Sequence, residues 1–407
     1  MFKRRIVRLV LSLATLLYSL LGFSTAQAES YVLESLASLN YFKTGSNPYS
    51  GLVEYNGNFY GTTEYGGTYG FGTIFEITPK GKLTTLYNFD TTHGARPDGT
   101  LIVYDGKFYG TTTGGGAYGT GTVFEFAAPA KGGADGTLTV MHSFLLNSTG
   151  PMAGLVRGTD GYFYGSTDSG GHGKGTLFKI SPSAPYTLTT LYNFCAHPNA
   201  EGICPDGRNP QGTLAEYGGR FYGITANDGT GAVGTVFVYT PGKGGVIGTL
   251  STLHSFNPKT EGLHPYAGLL EYNGNFYGTT EFGGLIGPNE NTGNGTIFEI
   301  TPEGKLTTLY VFSPRLNPLG GARPEGTLLE YNGNLFGTTL GGGTKGYGTV
   351  FEFHLDIGVL SSLVDFGIDV PGGYPSAGLI QYDGNFYGTT TEGGDYYDGT
   401  VFGLVAE

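Results

Sequence analysis

Charge is scarce in this 407-residue chain: Asp, Glu, Lys and Arg make up 13% of it, about half the share usual for a soluble domain. That scarcity, with 75 glycines spread without a three-residue period, excludes long helices, coiled coils and a collagen-like rod. Catalytic signatures are missing too. There is no Gly-x-Ser-x-Gly elbow, no His-Glu-x-x-His, no phosphate-binding loop and no cysteine nucleophile with a partner. After the first 28 residues no stretch is long and apolar enough to cross a bilayer. Disorder is excluded by what is present, because 30 Tyr and 27 Phe supply far more large apolar surface than a disordered chain carries. What remains is a turn-dense, all-β protein.

Residues 1–28 read as a cleavable export leader. Lys3, Arg4, Arg5 and Arg8 precede an apolar run from Leu9 to Phe23, and Ala26-Gln27-Ala28 gives a small-x-small cleavage pattern. Its loss would leave 17 of the 21 basic residues against 33 acidic ones, a formal charge of −16 that repels nucleic acid and anionic lipid. The expected location is therefore secreted or periplasmic. Cys195 and Cys204 agree with it, since an oxidising compartment lets two nearby cysteines pair. The competing reading is a metal site with His197 nearby, and it lacks further ligands at the usual spacing.

The remaining chain repeats one sentence seven times. Its first word, Gly51 to Thr63, places an aromatic-Gly pair at Tyr60, Tyr109, Tyr164, Tyr222, Tyr277, Phe336 and Tyr387, at intervals of 49 to 59 residues. Gly-Thr-apolar-Phe follows in every copy, first at Gly72 to Phe75. A third word, Leu-x-x-Leu/Met-x-x-Phe, runs from Leu83 to Phe89 in the first copy. Each copy thus predicts four short strands, A to D, near 51–55, 58–63, 73–78 and 83–89 in the first, with Asn56-Gly57 and Lys80-Gly81 as tight turns. Paired apolar residues such as Phe59-Tyr60 and Ile74-Phe75 point to opposite faces, so both faces of each sheet need cover, as in propeller blades. The last copy ends after its C strand, and Leu36 to Phe42 fits the missing D word. The expectation is one domain, residues 29–407, forming a seven-bladed β-propeller of four-stranded antiparallel blades, closed by an N-terminal strand. A short amphipathic helix over 29–39 is the alternative at that end.

The recurring Asn-Phe-Tyr-Gly-Thr-Thr, Gly-Gly, Gly-Thr-Val/Ile-Phe-Glu and Thr-Pro-x-Gly words resemble the GloVer tandem repeat of exported bacterial proteins, across essentially the whole chain after residue 28. The resemblance implies an extracytoplasmic repeat protein and brings no catalytic motif or ligand with it. The kelch repeat is a weaker comparison, since this chain has none of the Trp expected there.

Long B–C and D–A connections should emerge on one rim and short A–B and C–D turns on the other, so a binding site is expected on the long-loop face, near the channel. The D–A words Arg96-Pro97-Asp98, His264-Pro265-Tyr266 and Arg323-Pro324-Glu325 place Arg96, Asp98, His264, Arg323 and Glu325 as candidate ligand-binding residues. The same arginines are equally suited to plain ion pairs between blades. Tyr65 and Tyr396 join them from the B–C loops, where Tyr69, Tyr118, His172, Tyr347 and Tyr397 also lie. Glu54, Glu271 and Glu330 should be solvated on the plain rim, while Glu76, Glu125, Glu299 and Glu352 share one C-strand position and suggest a repeated structural role. Glu392, Asp395 and Asp398 offer oxygen ligands for Ca²⁺ but lack an EF-hand spacing. No catalytic residue, cofactor or metal is assigned. The preferred function is an exported binding or interaction module for a carbohydrate or protein ligand, acting as a monomer without nucleic acid. A carbohydrate-active enzyme with Asp98 and Glu325 as facing carboxylates, and a structural envelope protein, are the alternatives.

Overall fold

Strand B of each repeat is built around a glycine that nothing larger can replace. Gly61 stands opposite Phe75 of strand C, and a Cβ there would lie 2.6 Å from the Phe75 ring. The same pairing recurs through Gly388 and Phe402 in the last repeat. This is why an aromatic-Gly pair stands in strand B wherever strand C reads Gly-Thr-apolar-Phe.

The computed structural model describes residues 30–407 apart from 130–135, 146–149, 245, 285–292, 314–316, 318 and 369–371. The leader over 1–28 lies outside the described residues. Seven four-stranded antiparallel sheets follow one another in chain order. In the first blade they are Val53–Tyr55 (A), Asn58–Thr63 (B), Thr73–Ile77 (C) and Leu83–Asn88 (D). A strands of successive blades touch one another, so strand A lines the axis and strand D the outside. The last blade consists of Ile380–Tyr382, Asn385–Thr390, Thr400–Ala406 and the N-terminal strand Tyr31–Ser38. The ring is closed as the repeat phase predicts, by a strand rather than a helix.

The register of that closing strand differs from expectation. Leu36 to Phe42 is not the D word, because Tyr31 pairs with Ala406 and Ser38 with Thr400. The residue that takes the place of Phe89 is Leu39: its N–H donates to Gly399 O at 2.9 Å, as the Phe89 N–H does to Gly72 O at 2.9 Å. Leu39 is fully buried whereas Phe42 is 80% exposed. The closing word is therefore Leu33, Leu36, Leu39, three residues earlier, with leucine where the other copies have phenylalanine.

Both faces of every blade are covered, as the paired apolar residues required. Phe59 and Phe75 pack against Tyr387 and Val401 of the last blade, while Tyr60 and Ile74 pack against Phe108 and Phe124 of the second. The Phe-Tyr word interlocks neighbours: Tyr60 meets Phe108 at 4.4 Å between centroids, Tyr164 meets Phe221 at 3.8 Å, and Tyr222 meets Phe276 at 4.1 Å. Each such pair adds about 0.5–1.5 kcal/mol beyond area burial.

The repeated acids are structural in two ways. Glu76 accepts from the Asn58 side chain and, at 3.1 Å, from the Tyr60 hydroxyl, and Glu299 accepts from Asn275 and Tyr277 in the same way. Glu54 is exposed, as expected, yet also accepts the Gly57 N–H at 2.7 Å and so caps the A–B turn. Glu271 and Glu330 do the same for Gly274 and Gly333.

Candidate functional site

The D–A and B–C loops do share one rim, where they pair through isolated bridges such as Ser46 with Tyr65 and Ala95 with Gly114. Each D–A loop carries an x-Pro pair, and the residue before proline is left-handed in all seven: Asn47, Arg96, Gly150, Asn209, His264, Arg323 and Tyr374 have φ between 54° and 70°. Its backbone joins two blades. The Arg96 N–H donates to Phe71 O of the preceding blade at 2.9 Å, and Arg96 O accepts from Thr113 N–H of the following one at 2.9 Å. Arg323 is held likewise between Asn294 and Leu340. Arginine and histidine in this conformation cost about 1 kcal/mol relative to glycine, so their side chains are retained against a local penalty.

Two residues further on, the chain presents a second ring at the channel mouth: Tyr49, Asp98, Met152, Gln211, Tyr266, Glu325 and Ser376, one from each blade. Burial holds the Asp98 carboxyl up to about 7, and the charge of Glu64 adds to the rise against the opposing pull of Thr113 and Arg96. Asp98 Oδ1 is buried without a hydrogen-bond partner among the described residues. Glu325 is also pushed up, first by burial and then by Glu281, with Arg323 opposing. The Tyr49 hydroxyl is pushed above its ordinary range by its partial burial and then by the charges of Glu325, Asp98 and Glu281, although the residue as a whole is 42% exposed. Tyr266 is raised by burial and then by Glu281, Glu325 and Asp168.

Arg323 is the ion-pairing hub. Its Nε donates to Glu281 Oε1 at 2.9 Å, its Nη2 reaches the same oxygen, and Nη2 also meets Glu325 Oε1 at 3.2 Å. Glu281 closes the preceding blade's B strand, so the bridge between blades foreseen for the arginines exists here. The Arg323 guanidinium also lies over Phe282, 5.2 Å from its centroid. Arg96 is exposed and stands beside Tyr65 and Glu64. His264 packs edge-on to Phe282 and tilted against Tyr266, at 6.0 and 5.9 Å. Tyr396 lies in the last B–C loop, 56% exposed and apart from the mouth.

Between the first and second blades the same rim opens into a cavity of about 690 Å³, lined by Tyr65, Phe71, Thr92, Arg96 and the glycines around Gly115. Sequence reasoning missed Tyr49, Asp168, Gln211 and Glu281. Gln211 Nε2 donates to Asp168 Oδ1 at 2.6 Å, linking blades three and four at the mouth. The signal for Tyr49 and Gln211 was the x-Pro register itself, which aligns all seven mouth positions whether or not they are charged, while Asp168 and Glu281 follow B strands and lie outside that register. Among the described residues no group of three or more His, Cys, Asp or Glu is placed to hold a metal ion, and Asp398 Oδ2 accepts the Tyr41 N–H instead. Cys195 and Cys204 form a disulfide in the connection between the third and fourth blades.

Known proteins share the architecture at low identity. The extracellular domain of a hybrid two component system from B. thetaiotaomicron aligns with a TM-score of 0.58 at 11% identity over 92% of this chain and 39% of its own. A GH74 xyloglucanase from Xanthomonas campestris gives a TM-score of 0.54 at 14% identity, over 89% and 52%. An ancestral GH74 enzyme gives 0.57 at 10%, over 89% and 48%. The chain spans roughly two fifths to one half of each of these proteins, and the likeness is one of fold. No curated protein matches the sequence. The family model for the Gloeobacter/Verrucomicrobia repeat matches residues 23–205, 133–316 and 209–407. With seven copies of one blade and a family match running from residue 23 to residue 407, the chain belongs to the Gloeobacter/Verrucomicrobia repeat family.

Proposed function

We propose that this propeller is an exported, extracytoplasmic binding module that captures a ligand on its long-loop face, at the channel mouth. The observation that carries the reading is the convergence of Tyr49, Asp98, Tyr266, Glu281 and Glu325, from four blades, onto one mouth, with the buried Asp98 Oδ1 left without a partner among the described residues. Unpaired buried oxygen costs the fold free energy, and a ligand that donates to it recovers that cost. Arg96, Asp98, His264, Arg323 and Glu325 then form the inner contact set, with Tyr65 beside Arg96. Export is supported by the composition of residues 1–28, by the disulfide, and by the extracellular placement of a structural relative. The module acts as a monomer and takes no nucleic acid, in keeping with its acidic balance.

A second reading has an observation of its own. Raised carboxyls at Asp98 and Glu325 suit a general acid, and two of the structural relatives are named as GH74 enzymes. One experiment separates the readings: the purified protein is probed on glycan and peptide arrays and assayed for hydrolysis of each glycan it binds. Binding without turnover, lost in Asp98→Asn or Arg323→Ala and kept in Asn273→Ala on the plain rim, supports the module. Turnover lost in Asp98→Asn supports the enzyme. The absence of any ligand on either array favours a structural envelope role.

A further inference from the structure

Five aromatic side chains among the described residues are more than half exposed, and all five stand on the long-loop face within three consecutive blades. They are Tyr396 and Tyr397 in the last blade, Phe42 in the loop leading from it to the first, Tyr69 in the first and Tyr118 in the second. The internal stretches outside the described residues hold no Phe, Tyr or Trp, so the confinement is a property of the whole ring.

Three of these rings are equivalents. Tyr396, Tyr69 and Tyr118 each stand three residues before the glycine that opens strand C, namely Gly399, Gly72 and Gly121. The third, fourth and sixth blades carry His172, Gly231 and Lys345 at that place. The repeat thus sets three tyrosines at regular intervals along one arc of the rim. The loops touch where they meet: Gly67 N–H donates to Tyr41 O, and the Tyr41 N–H donates to Asp398. The cavity of about 690 Å³ opens between the first and second of these blades, with Tyr65 and Phe71 on one side, a glycine floor on the other, and Arg96 within it.

We infer that this arc binds a glycan chain of repeating hexose units, laid across the last, first and second blades, with one unit seated in the cavity beside Arg96. This rests on the reading of the long-loop face as a binding surface and names its ligand class. The chemistry selects the occupant. Among the described residues Leu145 is the one large aliphatic side chain exposed on the loops of these blades, too little for the apolar core that a protein interface or a membrane contact needs. Isolated rings, mostly tyrosines with a hydroxyl at the edge, suit a ligand with C–H faces and polar rims. Single-stranded nucleic acid also stacks on such rings, but it needs a cationic groove, and this chain carries a net charge of −12. Equal spacing matches a polymer, and a guanidinium inside the cavity serves sugar hydroxyls. The five rings belong to none of the core clusters, so no folding role accounts for them.

The test is calorimetric titration of the purified chain with cellohexaose, mannohexaose and N-acetylchitohexaose, and with the corresponding disaccharides. At least one hexasaccharide binds, and more tightly than its disaccharide. Tyr69→Ala, Tyr118→Ala and Tyr396→Ala each weaken it by about 3- to 10-fold, while Tyr69→Phe, which keeps the ring, stays within about 2-fold of the parent. Tyr217→Ala on the plain rim changes nothing. Failure of all three hexasaccharides overturns the inference, as does a glycan affinity that survives all three tyrosine truncations. If glycan binding vanishes only in Asp98→Asn or Arg323→Ala, the binding reading stands and the arc does not. A peptide ligand that requires the same tyrosines also overturns the glycan assignment while leaving the module in place.

Discussion

Replacing Asp98 with asparagine is expected to stabilise the protein above neutral pH and to change it little near pH 4. Burial holds this carboxyl at about 7 in the folded chain against an ordinary 3.8. Between those values the folded protein keeps a proton that the unfolded chain has already released. The stability it contributes is therefore complete below pH 3.8 and is lost as pH rises through about 7. The difference amounts to about 2–4 kcal/mol. For a chain of this length, with roughly 0.8 kcal/mol of unfolding entropy per degree, that is about 3–5 °C in melting temperature. Asparagine keeps an oxygen to accept from Thr113 and removes the charge. Calorimetric melts of the parent and Asp98→Asn from pH 4 to pH 8 should converge at the acid end and separate toward pH 8, with the variant higher. Parallel curves, or a variant less stable at pH 8, would refute the claim that a buried charge at the channel mouth works against the fold. Glu325→Gln should show the same sign, since burial and Glu281 push that carboxyl upward too. A carboxylate kept at a cost to stability is what a site selected for ligand chemistry looks like.

Gly61→Ala places a Cβ 2.6 Å from the Phe75 ring and should cost about 1–3 kcal/mol in denaturant titration, with Gly110→Ala against Phe124 behaving alike. Leu39→Ala should cost about 2–4 kcal/mol and Phe42→Ala less than about 0.5, a contrast that tests the three-residue correction in the closing strand. Opening the Cys195–Cys204 disulfide in the double serine variant should cost about 2.5–3 kcal/mol, measured by thermal melts against the parent under non-reducing conditions.

The blades were legible because each carries its own punctuation. Strand B of the first copy was expected over 58–63 and is Asn58–Thr63, since Asn56-Gly57 fixes its start and the Thr63–Thr73 pairing fixes its end. Closure was legible from the phase of the repeat, but its register was not. Phe42 mimics the final aromatic of the D word, and only hydrogen bonding to Gly399 reveals that Leu39 takes that role. The mouth was half legible. Arg323 and Glu325 are close in sequence, whereas Glu281 lies 42 residues before Arg323 and meets it only because successive blades turn the same loops to the axis. Tyr49 escaped notice because an uncharged residue after proline carries no mark of its own. Its neighbours Asp98 and Glu325 come from other blades.

The x-Pro belt separates what holds the blades together from what the rim displays. Both hydrogen bonds at each junction run through backbone atoms, so asparagine, arginine, glycine, histidine and tyrosine all occupy the same left-handed joint without altering it. Side-chain identity at these joints, and at the mouth positions two residues on, is free to drift while the ring stays shut. A gene that duplicates its blades can thus treat two circles of residues as a rewritable surface, changing its ligand one blade at a time on a frame that does not need to be refolded.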